Sequence, residues 1–141
     1  MKSLKVFRPV SKKAKISSPF GVRKWNGKEK MHNGIDFSIK VGTPIRAMCP
    51  GFIFKAGYEN EEDKKQGYGL RVWQEVLYEF NVYDFFYGHL SKLAVKPGDF
   101  VTHDSILGYS GNTGRSTGPH LHVGIRNHKT GKYYNMEFCD V

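Results

Sequence analysis

The 141-residue chain is poor in cysteine and proline, with two and six, and it holds no long apolar run. A bilayer-crossing helix needs about 20 consecutive apolar residues, and no stretch approaches that length. Cys49 and Cys139 stand far apart without the close spacing of a metal-binding pair. They are read either as one disulfide or as two free thiols, and they do not fix the compartment. No long segment repeats apolar residues at the helical period, and there are no internal repeats. Also missing are a helix-turn-helix pattern, a Cys-x-x-Cys pair and a stacking-aromatic motif, so nucleic acid is not expected as a partner. Met1 to Ser18 is basic but lacks the apolar middle of a signal peptide. That leaves two expectations: export by another route, or a leader or neighbouring domain outside this sequence.

What the chain does have is glycine, 16 in all, and a formal charge of +9. Turns that need positive φ consume glycine. From Ile35 onward, short apolar stretches alternate with glycine-centred turns roughly every ten residues, an all-β cadence. The expected strands are Ile35–Ile39, Pro44–Cys49, Gly51–Ala56, Leu70–Tyr78, Val82–His89, Asp99–Val101, Ile106–Ser110 and His120–Arg126. Residues 23–31 and 59–66 are polar and read as exposed loops. The expected architecture is a single antiparallel β-sheet domain, an open barrel or sandwich with a groove lined by loops. Residues 1–17 are read as a basic lead-in, tacked down by Val6, Phe7 and Val10, and 18–141 as the domain. The positive surface would draw the protein toward polyanions, including anionic wall polymers.

Six histidines are present, and several keep informative company. His32 precedes Asp36 by four positions, across an Asn-Gly turn that enters a strand. His120 and His122 flank Leu121, and side chains at i and i+2 of a strand project from one face. Two histidines and a carboxylate with an open fourth position is a donor set of catalytic zinc. Such a site stays electrophilic toward a carbonyl oxygen while acidifying water. Spacing alone leaves either or both of His120 and His122 as the further ligand. His89, at the expected end of an aromatic strand, is placed to face a cleft. His103 and His128 lie in polar turns and are given no function.

Four motifs now stand in order: His32-Asn33-Gly34-Ile35-Asp36, Gly42-Thr43-Pro44, Tyr87-Gly88-His89-Leu90-Ser91, and the tract from Gly108 to His122. Together they resemble the lysostaphin-type (LytM-like) zinc endopeptidases of bacterial cell walls, from about Ser18 to about Arg126. The resemblance implies one Zn2+ held by His32, Asp36 and His122. It makes His120 and His89 catalytic residues that do not hold the metal. Asn112, Ser116 and Thr117, in the glycine-rich tract, are candidates for substrate contact.

The resemblance also implies a substrate, the stem or cross-bridge peptides of peptidoglycan. Members that cut glycyl-glycine bridges carry a tyrosine shortly before the first histidine ligand. Residues 25–30 here have none, which favours a bond involving a D-amino acid; Trp25 is a candidate groove residue. A monomer is expected. A lone catalytic domain resembles the lytic enzymes of bacteriophages, acting from the host cytoplasm before lysis or from a virion. A fragment of a secreted extracellular or periplasmic enzyme would look the same. Two other classes compete with a bacteriolytic enzyme. A catalytically inactive relative would bind peptidoglycan or activate another hydrolase, and a basic β domain would bind nucleic acid with steep salt dependence.

Overall fold

The glycine-punctuated stretches pair into a curled, open sheet, a half-barrel, in a computed structural model that describes residues 3–139, with Trp25 described by its backbone alone. No helix occurs among the described residues. The first strands are β1 (Ser3–Phe7), β2 (Lys15–Ser18), β3 (Gly21–Trp25), β4 (Lys28–His32), β5 (Ile35–Ser38) and β6 (Pro44–Arg46). Then come β7 (Gly51–Tyr58), β8 (Leu70–Tyr78), β9 (Asn81–Leu93), β10 (Phe100–Val101), β11 (Ile106–Ser110), β12 (His120–Asn127) and β13 (Tyr133–Cys139). The eight expected strands are all present, two of them end to end.

The other five escape the apolar pattern for a physical reason. β2 and most of β4 are exposed on both faces, so no alternation marks them. Residues 23–31 are therefore not a loop, as expected, but most of a hairpin closed by Asn26 and Gly27, with φ of 50° and 74°. An Asn-Gly pair is the strongest short hairpin signal in a sequence. β1 pairs in parallel with β13, the exception to an otherwise antiparallel sheet. Its Leu4 and Val6 belong to the same buried cluster as the rest of the fold. Cys49 and Cys139 are both free thiols.

β12 is central. It pairs with β9 along one side and with β5, then β13, along the other. Leu121, Val123 and Ile125 are fully buried in the core. By the two-residue strand period, His120, His122, Gly124 and Arg126 lie on the other face. β9 follows the same rule, with Tyr83, Phe85 and Tyr87 in the core and Asp84, Phe86 and Gly88 opposite. Two polar side chains in the core satisfy each other: Tyr87 Oη donates to Gln74 Oε1 at 2.7 Å, and Gln74 Nε2 donates to the Cys49 carbonyl at 2.6 Å.

At Gly88–His89 the alternation of β9 breaks. Tyr87 pairs with Val72 and Leu90 with Leu70, so two residues of β9 face one of β8. This is a β-bulge, a device that re-aims a side chain. His89 takes φ of 62°, costly for a residue with a Cβ. Beyond it β9 exchanges its partner β12 for β11. The histidine read as a strand terminus thus sits inside a longer strand, and the bulge turns it toward the face that carries His122.

Candidate metal centre

Backbone pairing assembles the site. His122 of β12 is in register with Asp36 of β5 on one side and with Gly88 of β9 on the other. His32 ends β4, with two residues, Asn33 and Gly34, between it and the start of β5. Glycine permits the crossing between them, because a Cβ on Gly34 would collide with the Val123 carbonyl and meet the His122 ring at 2.6 and 2.7 Å. His32, Asp36 and His122 consequently offer ligand atoms that all lie within 4.8 Å of one another.

Asp36 bridges the two rings, with Oδ1 2.7 Å from His122 Nδ1 and Oδ2 3.4 Å from His32 Nε2. Burial works to raise the Asp36 pKa, but the hydrogen bond and charges of His122, then His32 and His120, outweigh it and hold the carboxyl below its ordinary value. Burial likewise lowers the His32 pKa, against its bond to a backbone carbonyl. That carbonyl, Pro19 O, is 2.9 Å from His32 Nδ1. A carbonyl can only accept, so Nδ1 carries the proton and Nε2 keeps its lone pair for a cation. His122 presents Nδ1 to the Asp36 carboxylate at 2.7 Å, while its Nε2 is buried against Gly34 and Gly124 with no hydrogen-bond partner. Two imidazoles and one carboxylate, converging within 4.8 Å, are a donor set that fits zinc.

His89 and His120 stand beside this group, their rings 4.4 Å apart. Each has its Nδ1 held by a carbonyl of the 111–119 loop: His89 by Thr113 O at 2.6 Å, His120 by Gly118 O at 2.8 Å. Both rings therefore keep Nε2 free. Burial lowers the His89 pKa to about 4, opposed by the Thr113 bond, so the ring is neutral at neutral pH. The Ser116 hydroxyl donates to Gly118 O at 2.9 Å and lies 3.1 Å from His120 Nδ1. Asn112 and Thr117 are exposed on the same loop, and none of these three residues lines the cleft. The Trp25 side chain lies outside the described residues. His128, 2.9 Å from the buried Asp84, and His103, stacked on Phe7 at 4.1 Å, are both away from the cleft.

The cleft, about 360 Å³, has residues that the sequence reading missed. Tyr68 stacks on His122 at 4.9 Å and presents an edge to His89 at 6.1 Å, and its carbonyl accepts the His89 amide at 2.7 Å. Burial pushes its hydroxyl pKa up to about 12. A tyrosine between Gly67 and Gly69, with φ of 61° and 63°, was the available signal. Thr113 ties the loop to β9 and β8, donating to Leu90 O at 2.6 Å and accepting from Leu70 N at 3.1 Å. Arg23, Lys30 and Arg115 also line the cleft.

The half-barrel thus carries a cleft with three candidate metal-ligating side chains and two further histidines. Residues 30–136 match the model of Peptidase family M23, and the chain belongs to that zinc-dependent family. It is 41% identical over 104 residues to glycyl-glycine endopeptidase ALE-1 of Staphylococcus capitis, covering 74% of this chain and 25% of that protein. It is 38% identical over 118 residues to the DD-carboxypeptidase/endopeptidase Mpg of Neisseria meningitidis, covering 79% and 24%. The chain thus spans about a quarter of the length of these two relatives. The catalytic domain of the antimicrobial peptidase lysostaphin from Staphylococcus simulans superposes with a TM-score of 0.67 at 37% identity, over 81% of this chain and 80% of that one.

Proposed function

We propose that the chain is a zinc-dependent endopeptidase that hydrolyses peptide bonds of bacterial peptidoglycan. One observation carries the reading: three ligand-type side chains within 4.8 Å of one another share a cleft with two further histidines, each keeping one ring nitrogen free. The substrate class rests on the relatives, whose names describe a glycyl-glycine endopeptidase and a DD-carboxypeptidase/endopeptidase.

His32, Asp36 and His122 would hold the metal. Zinc, when bound, supplies Lewis acidity toward a peptide carbonyl and toward water. The residues of the chain supply proton handling. His89, neutral at neutral pH with Nδ1 donating to Thr113 O, offers Nε2 as a proton acceptor. His120, with Nδ1 donating to Gly118 O, offers a second Nε2 beside it, suited to steady an oxyanion or serve the leaving amine once protonated. Tyr68 packs on the His122 ring and covers one face of it. Asn112 and Thr117 are exposed loop residues available to the substrate, whereas Ser116 acts through His120.

Digestion of purified peptidoglycans of different cross-bridge types, with and without chelator, tests the reading through mass spectrometry of the products. Chelator-sensitive release of peptide fragments is expected. Release that resists the chelator defeats the zinc mechanism. Wall binding without release from any peptidoglycan favours the inactive, wall-binding or hydrolase-activating relative instead.

A further inference from the structure

The rim of the cleft carries charge of one sign. Arg23, Lys30 and Arg115 line it, and among the described lining residues the one carboxylate is Asp36. Asp36 is already engaged, by His122 at 2.7 Å and His32 at 3.4 Å, and so leaves the rim unneutralised. Arg23 and Lys30 are directly opposite each other in the β3–β4 ladder. Like charges in that position repel. The next pair of the same hairpin, Lys24 opposite Glu29, is complementary. Charge matching is thus present on this hairpin but not at the pair that meets the cleft. Arg23 has a neutral partner, Ser18 Oγ at 2.7 Å, and its charge reaches His32, whose protonation it disfavours. Arg115 belongs to a different wall, the loop before β12. Its backbone N–H is anchored to Gly67 O at 2.8 Å, and the residue is exposed.

Three cations around a cleft, two of them placed against each other at a cost, are complementary to an anionic ligand. Building on the endopeptidase reading, we propose that Arg23, Lys30 and Arg115 select peptides carrying a free carboxylate near the scissile bond. The cleft then takes an acidic stem peptide in preference to its amidated form or to an uncharged glycine bridge. Arginine suits this role because its planar fork pairs with a carboxylate through two parallel hydrogen bonds. Lys30 adds a point charge.

The test uses the zinc-loaded chain and two synthetic cross-linked stem peptides, identical except that one carries a carboxylate where the other carries a carboxamide. A neutral glycine-bridged peptide is the third substrate. The acid form is expected to be favoured over the amide by roughly tenfold in kcat/KM, mainly through KM, as for a charge-assisted hydrogen bond. The preference should shrink as salt rises. In the Arg23→Gln/Arg115→Gln double variant the acid-to-amide ratio is expected to fall toward one. Arg23→Lys should retain part of it, and Lys30→Gln should lower it less. Zinc content and thermal unfolding of each variant establish that it is folded. Equal cleavage of both forms by the parent chain, or a preference that survives the double substitution in folded protein, overturns the proposal while the endopeptidase reading stands. Zinc-loaded parent chain that cleaves none of the three substrates defeats that reading and the proposal with it.

Discussion

On the floor of the cleft, β12 lies between β9 and β5, and Leu121 and Val123 beneath the histidines have no exposed surface. On its wall, β3 and β4 pair only with each other, and Val22 and Met31 are 66% and 45% exposed. The floor is held by burial, at about 1.5–3 kcal/mol for each large apolar side chain removed from water. The wall has little buried surface and depends on its turn and on the end it shares with His32. Chemistry that needs fixed geometry is thus on the part that cannot move cheaply. Two of the residues assigned to selectivity, Arg23 and Lys30, are on the part that can.

Substitutions in the candidate metal cluster, on the floor and at the end of the wall that meets it, should have the largest effects. His32→Ala, Asp36→Ala or His122→Ala is expected to lower zinc stoichiometry and reduce turnover to the level of chelated protein, read by metal analysis and a wall-digestion assay. His89→Ala and His120→Ala separate the two jobs of the floor: each should keep zinc and lose roughly 10²–10⁴ in kcat. Next comes packing. Phe37→Ala removes a fully buried ring from the core beneath Asp36 and should cost about 3–5 kcal/mol in denaturant unfolding. Gly34→Ala forces a methyl onto the Val123 carbonyl and the His122 ring, and should weaken zinc binding as well as stability.

The zinc-free floor should also respond to acid. His89 is held near 4 in the folded chain against an ordinary 6.5, so between these values the unfolded chain binds more protons. Folding stability is therefore expected to fall as pH drops from 6.5 to 4 and to be free of this effect above 6.5. Denaturant titrations across that window should show a shallower slope for His89→Gln. The smallest global effect belongs to the wall. Asn26→Ala puts alanine at φ of 50° and should cost the hairpin about 1 kcal/mol while hardly moving the main unfolding transition. Its mark should be a raised KM with kcat little changed. A large drop in melting temperature from Asn26→Ala would mean that floor and wall fold as one unit.

The same division explains what could be read from sequence. Strands with one buried face, such as Leu70–Tyr78 and Ile106–Ser110, announce themselves through alternation or short apolar runs between glycines. Among its described side chains the hairpin buries only His32, at its end, so its Asn26-Gly27 turn was the signal there to be seen. β1 and β13 pair across nearly the whole chain, and no local pattern reports a partner so distant. The candidate site residues were legible as motifs, because His32, Asp36, His120 and His122 belong to two short segments. Tyr68, Thr113 and the Arg23–Lys30 pairing were not. Their contributions come from a ring stack, a loop anchor and a cross-strand register, which appear only once distant segments meet.

The bulge in β9 imposes a parity rule on this molecule. Without the extra residue at Gly88–His89, the His89 imidazole would share the core face with Tyr83, Phe85 and Tyr87 rather than lie 4.4 Å from His120. Adding or deleting one residue within β9 or β12 exchanges inside for outside along everything beyond it, as a frameshift does in a coding sequence. Such strands can be lengthened or shortened only in steps of two. The loops between them carry no such restriction, and it is there that relatives of this chain are free to diverge in what they bind.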